Sequence, residues 1–340
     1  MWSGPIKRLV IIVLVLAGAA ALYYRFVRRG AQPAPTEVAY ILPESAAVFD
    51  SPAEIRLGVA TLSHGDRVEI LQRTTKWARV RMADGRSGWV EAEDLLDVAS
   101  YERGRRLFLE LQKEQPQATG HSAGFANLRV EPARGATQIG QLAANQKVDV
   151  FDRQLVDRLP QSGALSAEPV RDAWYLVRAG RGAGWVLGRL ISLDVPDALG
   201  RYAQSINMVG WVILSTLQDG DRQVPQYLVA DRIGTQESDF NHIRVFTWWS
   251  KRQEYVTAYV ESNLDGRFPI RVSGIDGVPY FRLRLVDKNG HKFQKVYRLD
   301  DTIVHPLGTV EGWESDAMPA GRGRAPGARR GRGQSHSGGR

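Results

Sequence analysis

The sequence predicts a mainly β protein: two small β-barrels in tandem, a C-terminal antiparallel β domain, and an apolar helix at the N-terminus. Three observations carry that expectation. Residues 46–70 slide onto 126–150 without a gap; residues 197–313 break into short apolar runs separated by turn residues; and 16 consecutive apolar residues follow Lys7 and Arg8. At 340 residues the chain is long enough for two or three domains of about 100–200 residues each. The expected layout is residues 1–30 as a transmembrane anchor or signal segment, 31–36 as a linker and 37–98 as the first barrel. A helical connector at 99–122, a second barrel with an inserted loop at 123–196, the β domain at 197–313 and a tail at 314–340 complete it.

The N-terminal run, LVIIVLVLAGAAALYY, must leave water. With Arg25 snorkelling it extends through Phe26 and Val27 to about the length that spans a bilayer. The pair Tyr23-Tyr24 and the trailing arginines resemble an interfacial belt, which favours an uncleaved anchor. Ala17, Ala19 and Ala21 also suit a cleaved signal peptide. Basic residues flank both ends, so charge alone leaves the orientation open. The following AQPAPT reads as a short stiff spacer.

The repeat defines the barrels. Val48 meets Leu128, four residues before Pro52 and Pro132; Leu62 meets Leu142; the alternating pair Val68 and Ile70 meets Val148 and Val150, as a half-buried strand requires. The register then breaks at QLVDRLPQSGALSAEPV, whose Pro, Gly and Ser content predicts a long surface loop. Beyond it Trp77-Ala-Arg-Val80-Arg81 matches Trp174-Tyr-Leu-Val177-Arg178, and Gly88-Trp89-Val90 matches Gly184-Trp185-Val186.

This pattern resembles the bacterial Src-homology-3 (SH3b) domain. The first copy carries it at Val48, Pro52, Leu62, Gly65, Val68, Ile70, Trp77, Val80, Arg81, Gly88, Trp89, Val90 and Leu95. The second has Asn127-Leu128-Arg129 at its opening, and Asn145 where the first has Gly65. The resemblance implies a five-stranded small barrel and a role in binding cell-wall peptide or glycan, in targeting, or in contacting another protein. It also implies export. Gly88 and Gly184 are expected at barrel corners, where glycine tolerates positive φ and close backbone approach. The tryptophans Trp77, Trp89, Trp174 and Trp185 are expected to pack a small core, with one per barrel as a candidate wall of a ligand groove. Two such grooves on one chain could hold a repetitive polymer more tightly than either alone.

Between the barrels, Leu107 and Leu111 at helical spacing predict a short docking helix ending before Pro116. In 197–313 seven strand-like runs stand out: VGWVILSTL, PQYLVADR, NHIRVFTWW, QEYVTAYVES, FPIRVS, PYFRLRLV and KFQKVYRL. The turns SKRQ and DKNG predict two hairpins, the latter with Asn289-Gly290 in the favoured two-residue geometry; a sandwich or a propeller-like meander is expected. The aromatic cluster Phe246, Trp248, Trp249, Tyr255 and Tyr259 reads either as core or as a stacking platform for sugar rings. Alternation puts Phe246 and Trp248 on one face and Trp249 on the other.

Other chemistries lack their residues. There is no cysteine, hence no disulfide, thiolate metal site or cysteine nucleophile. The histidines His64, His121, His242, His291, His305 and His336 show no ligand spacing. ESNLDG at 261–266 imitates a calcium loop but has Val272 at its twelfth position, and GRGAG at 180–184 leads into a strand rather than a helix N-terminus. No cofactor or metal is expected. The +8 net charge comes from two acid-free tails with five and six basic residues, which leaves 31–316 at −3, so no nucleic-acid groove is expected in the folded body. The Arg/Gly-rich C-terminus cannot bury a core; a polyanion-binding and a purely solubilising role both fit it. The sum is a non-enzymatic, membrane-tethered bacterial envelope protein with its body outside the cytoplasm, or a secreted one if the signal is cleaved. Its expected partner is wall peptide or glycan. A scaffold binding another envelope protein is the alternative, and an enzyme with a site in 197–313 a further one.

Overall fold

The computed structural model describes residues 37–157, 171–204, 206–234 and 238–319. The expected N-terminal helix and linker, most of the inserted loop and the Arg/Gly-rich end lie outside the described residues. Among the described residues no helix is long and apolar enough to cross a membrane. The chain divides between Arg103 and Gly104 into two compact units.

The first unit is built on β1 (Glu37–Ile41), β2 (Ser45–Phe49), β3 (Gly58–Ser63), β4 (Arg67–Arg73), β5 (Trp77–Arg81), β6 (Ser87–Glu91) and β7 (Leu95–Asp97). They form one antiparallel sheet in the order β3-β2-β6-β5-β4-β1-β7. Alternation in the sequence sets which face is core: Val68 and Ile70 on β4 and Ala78 and Val80 on β5 are buried, with Ala39, Ile41, Val48 and Val90 closing the same cluster. Seven strands replace the expected five. The additions are β1 and β7, which extend the β4 edge because Ala39 and Ile41 are as buried as the repeat positions. Tyr40 on β1 stacks on Tyr101 at 3.8 Å.

Helix α1 (Val98–Leu111) follows and spans the division between the units. The connector expected over 99–122 is helical only in this first part, because residues 118–122 alternate into the next sheet. That sheet contains β8 (Ala118–Ser122), β9 (Ala126–Arg129), β10 (Gln138–Leu142), β11 (Lys147–Asp157), β12 (Arg171–Ala179), β13 (Gly182–Leu187) and β14 (Ile191–Leu193). Its order, β10-β9-β13-β12-β11-β8-β14, reproduces the first sheet strand for strand. The start of the inserted segment is not loop: Gln154 to Asp157 continue β11 and pair with β12 through Trp174 to Arg171.

Two glycine expectations separate here. Gly65 and Asn145, equivalent in the repeat, both adopt positive φ, 82° and 59°, and asparagine is among the few other residues that tolerate that region. Gly88 and Gly184 have no positive φ. Their constraint is space. A Cβ on Gly88 would lie 2.4 Å from Val48 Cγ1 and 2.8 Å from the Phe49 carbonyl oxygen, and one on Gly184 would lie 2.9 Å from Leu128 Cβ. Gly88→Ala is therefore expected to cost about 1–3 kcal/mol through overpacking. Chemical denaturation of the variant checks this, since a turn glycine without crowding would cost less.

The last sheet is a meander of β15 (Asn207–Asp219), β16 (Arg222–Arg232), β17 (Phe240–Trp249), β18 (Glu254–Ile275), β19 (Val278–Val286), β20 (Lys292–Asp300) and β21 (Ile303–Glu311), each pairing with the next. Both expected hairpins form, β17–β18 and β19–β20. The second differs in its turn. Only Gly290 has positive φ, and Asp287 Oδ1 accepts hydrogen bonds from the amides of Asn289 and His291, so a longer loop replaces the two-residue turn. The runs QEYVTAYVES and FPIRVS fuse into the 22-residue β18, interrupted by Asn263 at φ 61° and a register break between Arg267 and Arg271. Strand β21 is added, its pattern masked by Pro306 and Gly308.

This sheet is buried on two sides where it meets the second barrel. Trp211, Val229 and Phe246 point into a core shared with Leu128, Val150 and Val177, while their neighbours Val212, Leu228 and Val245 point into a separate core with Phe240, Phe281 and Tyr297. Burial on both faces explains the unbroken apolar runs in VGWVI and YLVA. Gln117 fastens the join: its amide nitrogen donates to the Ile270 carbonyl at 3.1 Å, and its side-chain oxygen accepts from Ile270 N at 2.7 Å.

Candidate functional site

In the first barrel the outward face of β2, β5 and β6 carries Phe49, Trp77 and Trp89, all half-buried. Strand pairing places them together: Phe49 stands opposite Trp89, and Arg79 on the far side of Trp89. The Phe49 and Trp77 rings meet edge to face at 6.0 Å. The loop between β2 and β3 folds over them because Asp50 closes it, its carboxylate accepting from Leu57 N at 3.0 Å while Asp50 N donates to the Leu57 carbonyl. That closure hangs Arg56 over both rings, 4.5 Å from the centre of Phe49 and 4.7 Å from that of Trp77. The same loop leaves Ile55 93% and Leu57 72% exposed.

On its other side Trp77 borders a cleft of about 290 Å³ lined by Thr75, Lys76, Glu91 and Glu93. Thr74 fixes the turn beneath, its hydroxyl accepting from Trp77 N at 3.1 Å. Asp94 next to this cleft is pushed up to about 6, first by burial and then by the charges of Glu91 and Glu93. The rim therefore runs from a cation, Arg56, across the Phe49 and Trp77 rings to a carboxylate pair. It can hold an extended ligand by stacking and carries polar groups of both signs.

The equivalent surface of the second barrel is closed. Trp174 and Trp185 are 3% and 8% exposed, in a core with Phe151, Leu176 and Leu187. Leu107, Phe108 and Leu111 of α1 cover it. Arg178, the arginine of the repeat pattern, donates to the Leu111 carbonyl at 3.0 Å, pairs with Asp149 at 2.8 Å and lies over the Phe151 ring. Its counterpart Arg81 pairs with Glu69 at 3.4 Å. The cause lies in the outward positions. Leu176 and Leu187 occupy the places of Arg79 and Glu91, so one face is apolar and takes a helix while the other is charged and faces water.

Among the C-terminal aromatics, no open platform forms. Tyr255 is buried, its hydroxyl donating to the Pro225 carbonyl and its pKa pushed up to about 12 by burial and Tyr227. Trp248 packs against the shared core and donates from Nε1 to Asp219 at 2.8 Å. Trp249 points the other way, 40% exposed under Arg252. The structure thus brings Trp77 and Trp89 to one open surface and disperses the rest. The sequence reading missed Phe49 and Arg56. Comparing Arg79 and Glu91 with Leu176 and Leu187 across the repeat was the signal that separates the two rims.

Residues 43–97 and 124–192 each match a family model described as a bacterial SH3 domain. The chain carries two bacterial SH3 domains in tandem. The first bacterial SH3 domain holds the open aromatic rim and the second holds the closed one. No curated protein matches the chain. Among solved structures it is similar to NlpC2 from Trichomonas vaginalis, at 12% identity over 82% of this chain and 98% of that one, with a TM-score of 0.17. For NlpC1 from the same organism the values are 12%, 84%, 95% and 0.18. For an NlpC/P60 family protein from Bacillus cereus ATCC 10987 they are 10%, 80%, 94% and 0.22. Scores this low carry no weight for fold or activity, and the assignment rests on the two domain matches and the shared topology.

Proposed function

We propose that this is a non-enzymatic, membrane-tethered protein of the bacterial envelope whose first bacterial SH3 domain binds cell-wall peptide or glycan, while the second is a structural element of the C-terminal body. The observation that carries this reading is the asymmetry of the rims. Trp77, Trp89 and Phe49 stay half-open, with Arg56 over Phe49 and Trp77, whereas Trp174 and Trp185 are sealed by α1. Half-open indoles beside charged groups suit sugar rings and peptide backbones, which offer both faces to stack on and polar groups to bind. The tether is the apolar run at residues 9–24, with the body in the periplasm or an equivalent extracytoplasmic space; a cleaved signal would give a secreted form.

Co-sedimentation with purified peptidoglycan tests the binding. The full chain in detergent micelles is expected in the pellet, and Trp77→Ala/Trp89→Ala is expected to weaken retention at least about 30-fold, as loss of a pair of central aromatic anchors does. A chain that stays in the supernatant, or a double variant that pellets as before, would sink the proposal. One observation favours the alternative of a protein partner: Ile55 and Leu57 offer exposed aliphatic surface on the loop that carries Arg56. Photocrosslinking from position 55 in membranes separates the two, because a scaffold gives one dominant protein adduct and a wall binder does not.

A further inference from the structure

A second place in the molecule has the makings of a ligand site, and it is independent of the aromatic rim. Where the extended end of β11 passes the C-terminal sheet, a cleft of about 430 Å³ opens, lined by Asp152 and Arg153 from β11, Asp239 before β17, Arg267 from β18, Arg284 from β19 and Trp313. That volume suits a ligand of single-sugar to small-cofactor size. All of these residues belong to the second compact unit.

Its cations are held in place but only partly used. Arg153, 4% exposed, donates from one terminal nitrogen to Asp239 Oδ1 at 3.0 Å and to the Asp239 carbonyl, yet its Nε has no hydrogen-bond partner among the described residues. Arg284, 13% exposed, pairs with Glu314 at 3.0 Å, and its Nε is unpartnered too. Arg267 reaches Asp265 and the Gly266 carbonyl. Asp239 is spoken for on both oxygens, since Phe268 N donates to the second at 3.3 Å. Buried guanidinium groups with unpartnered donors hold more hydrogen-bonding capacity than their carboxylate partners use, and the terminal nitrogens of Arg267 and Arg284 belong to side chains that keep 28% and 13% of their surface exposed.

We propose that this cleft is a second ligand site that takes a small oxyanion, the phosphate or carboxylate of a bound molecule, on Arg153, Arg267 and Arg284 beside the ring of Trp313. Guanidinium forks match both groups geometrically, and charge-assisted bonds of this kind are about twice as strong as neutral ones. The surroundings of Asp152 add a pH signature. Burial, followed by the charge of Asp239, pushes its carboxyl up to about 7, against Arg284 from β19 and the amide hydrogen bond of Arg153 on its own strand. Arg267 and the Asp157–Arg171 pair complete the charged lining. As pH falls through about 7 Asp152 takes up a proton, and the cleft loses a negative charge.

Equilibrium dialysis of the full chain in detergent micelles with sulfate and with acetate, whose charges stay constant between pH 6 and 8, tests the site. Saturable uptake of one ion per chain is expected, tighter at pH 6 than at pH 8. Sulfate preferred over acetate points to a phosphate-type ligand, and the reverse to a carboxylate. Arg284→Gln is expected to weaken uptake about tenfold or more, and Asp152→Asn to reduce the pH dependence to what Asp239, itself pushed up to about 6 by burial, supplies. Arg267→Gln is the second variant, and circular dichroism verifies that both fold. Neither anion binding at 50 mM would overturn the proposal, as would uptake that both arginine variants leave intact. The basic tail is common to every protein compared and cannot produce a difference between them.

Discussion

Trp174→Ala is expected to destabilise the protein by about 3–5 kcal/mol, the cost of removing a fully packed aromatic and leaving a cavity. The equivalent change in the other copy, Trp77→Ala, is expected to cost less than about 1 kcal/mol. The contrast follows from their surroundings. Trp174 is enclosed by Phe151, Leu176, Trp185 and the apolar side of α1, so its removal also loosens the helix from the barrel. Trp77 is half-exposed, and its neighbours Phe49 and Arg56 can settle into the gap. Urea unfolding of the two variants decides the matter. Equal losses would mean that the two rims are built alike, and the assignment of one to structure and the other to binding would fail.

The second large effect is expected at Glu261. Its carboxylate accepts hydrogen bonds from Tyr259 at 2.8 Å, from Tyr297 at 2.7 Å and from Lys295 at 2.5 Å. Burial alone raises the pKa of this carboxyl, but the bonds from Lys295, Tyr297 and Tyr259 outweigh it and hold the group below its ordinary value. Tyr297 has no exposed surface, stacks on Phe281 at 4.6 Å, and has its own pKa driven far up by burial and by the Glu261 charge. Glu261→Ala leaves a buried phenol and an ammonium without their acceptor, at an expected cost of about 2–4 kcal/mol. Because the folded pKa is depressed, the stability supplied by Glu261 is fully present above the ordinary value of 4.5 and is lost as pH falls below it through the folded pKa. Glu261→Gln is therefore expected to be less stable at pH 7 and to lose less on acidification. Thermal unfolding from pH 7 to pH 3 checks this, and parallel acid profiles for the two proteins would refute it.

Much of the fold was legible because its causes are local or repeated. Val68 and Ile70 announce a half-buried strand by alternation alone, and the second appearance of that alternation at Val148 and Val150 announces a second barrel. The positive φ of Asn145 could be anticipated from Gly65, since both occupy the same turn. What escaped the sequence was long-range. Nothing near Trp174 says that Leu107, Phe108 and Leu111, more than sixty positions earlier, will lie on it, and hydrophobic residues read alike in a core and under a helix. Nor does a run such as VGWVI reveal that one face meets the second barrel and the other meets Phe281. The cleft of Arg153 and Arg284 was invisible for the same reason: its arginines come from β11, β18 and β19, and only the fold gathers them.

The sealing of Trp174 and Trp185 under α1 also fixes a number that duplication alone would have misjudged. A chain with two like barrels suggests two seats for one polymer, but under the proposed function one rim is shut, and the binding curve on a soluble wall fragment is expected to be that of a simple one-to-one complex. If the proposed tether and ligand hold, any gain from a repetitive polymer comes from many molecules side by side, and retention is expected to rise with their surface density rather than with the number of domains per chain.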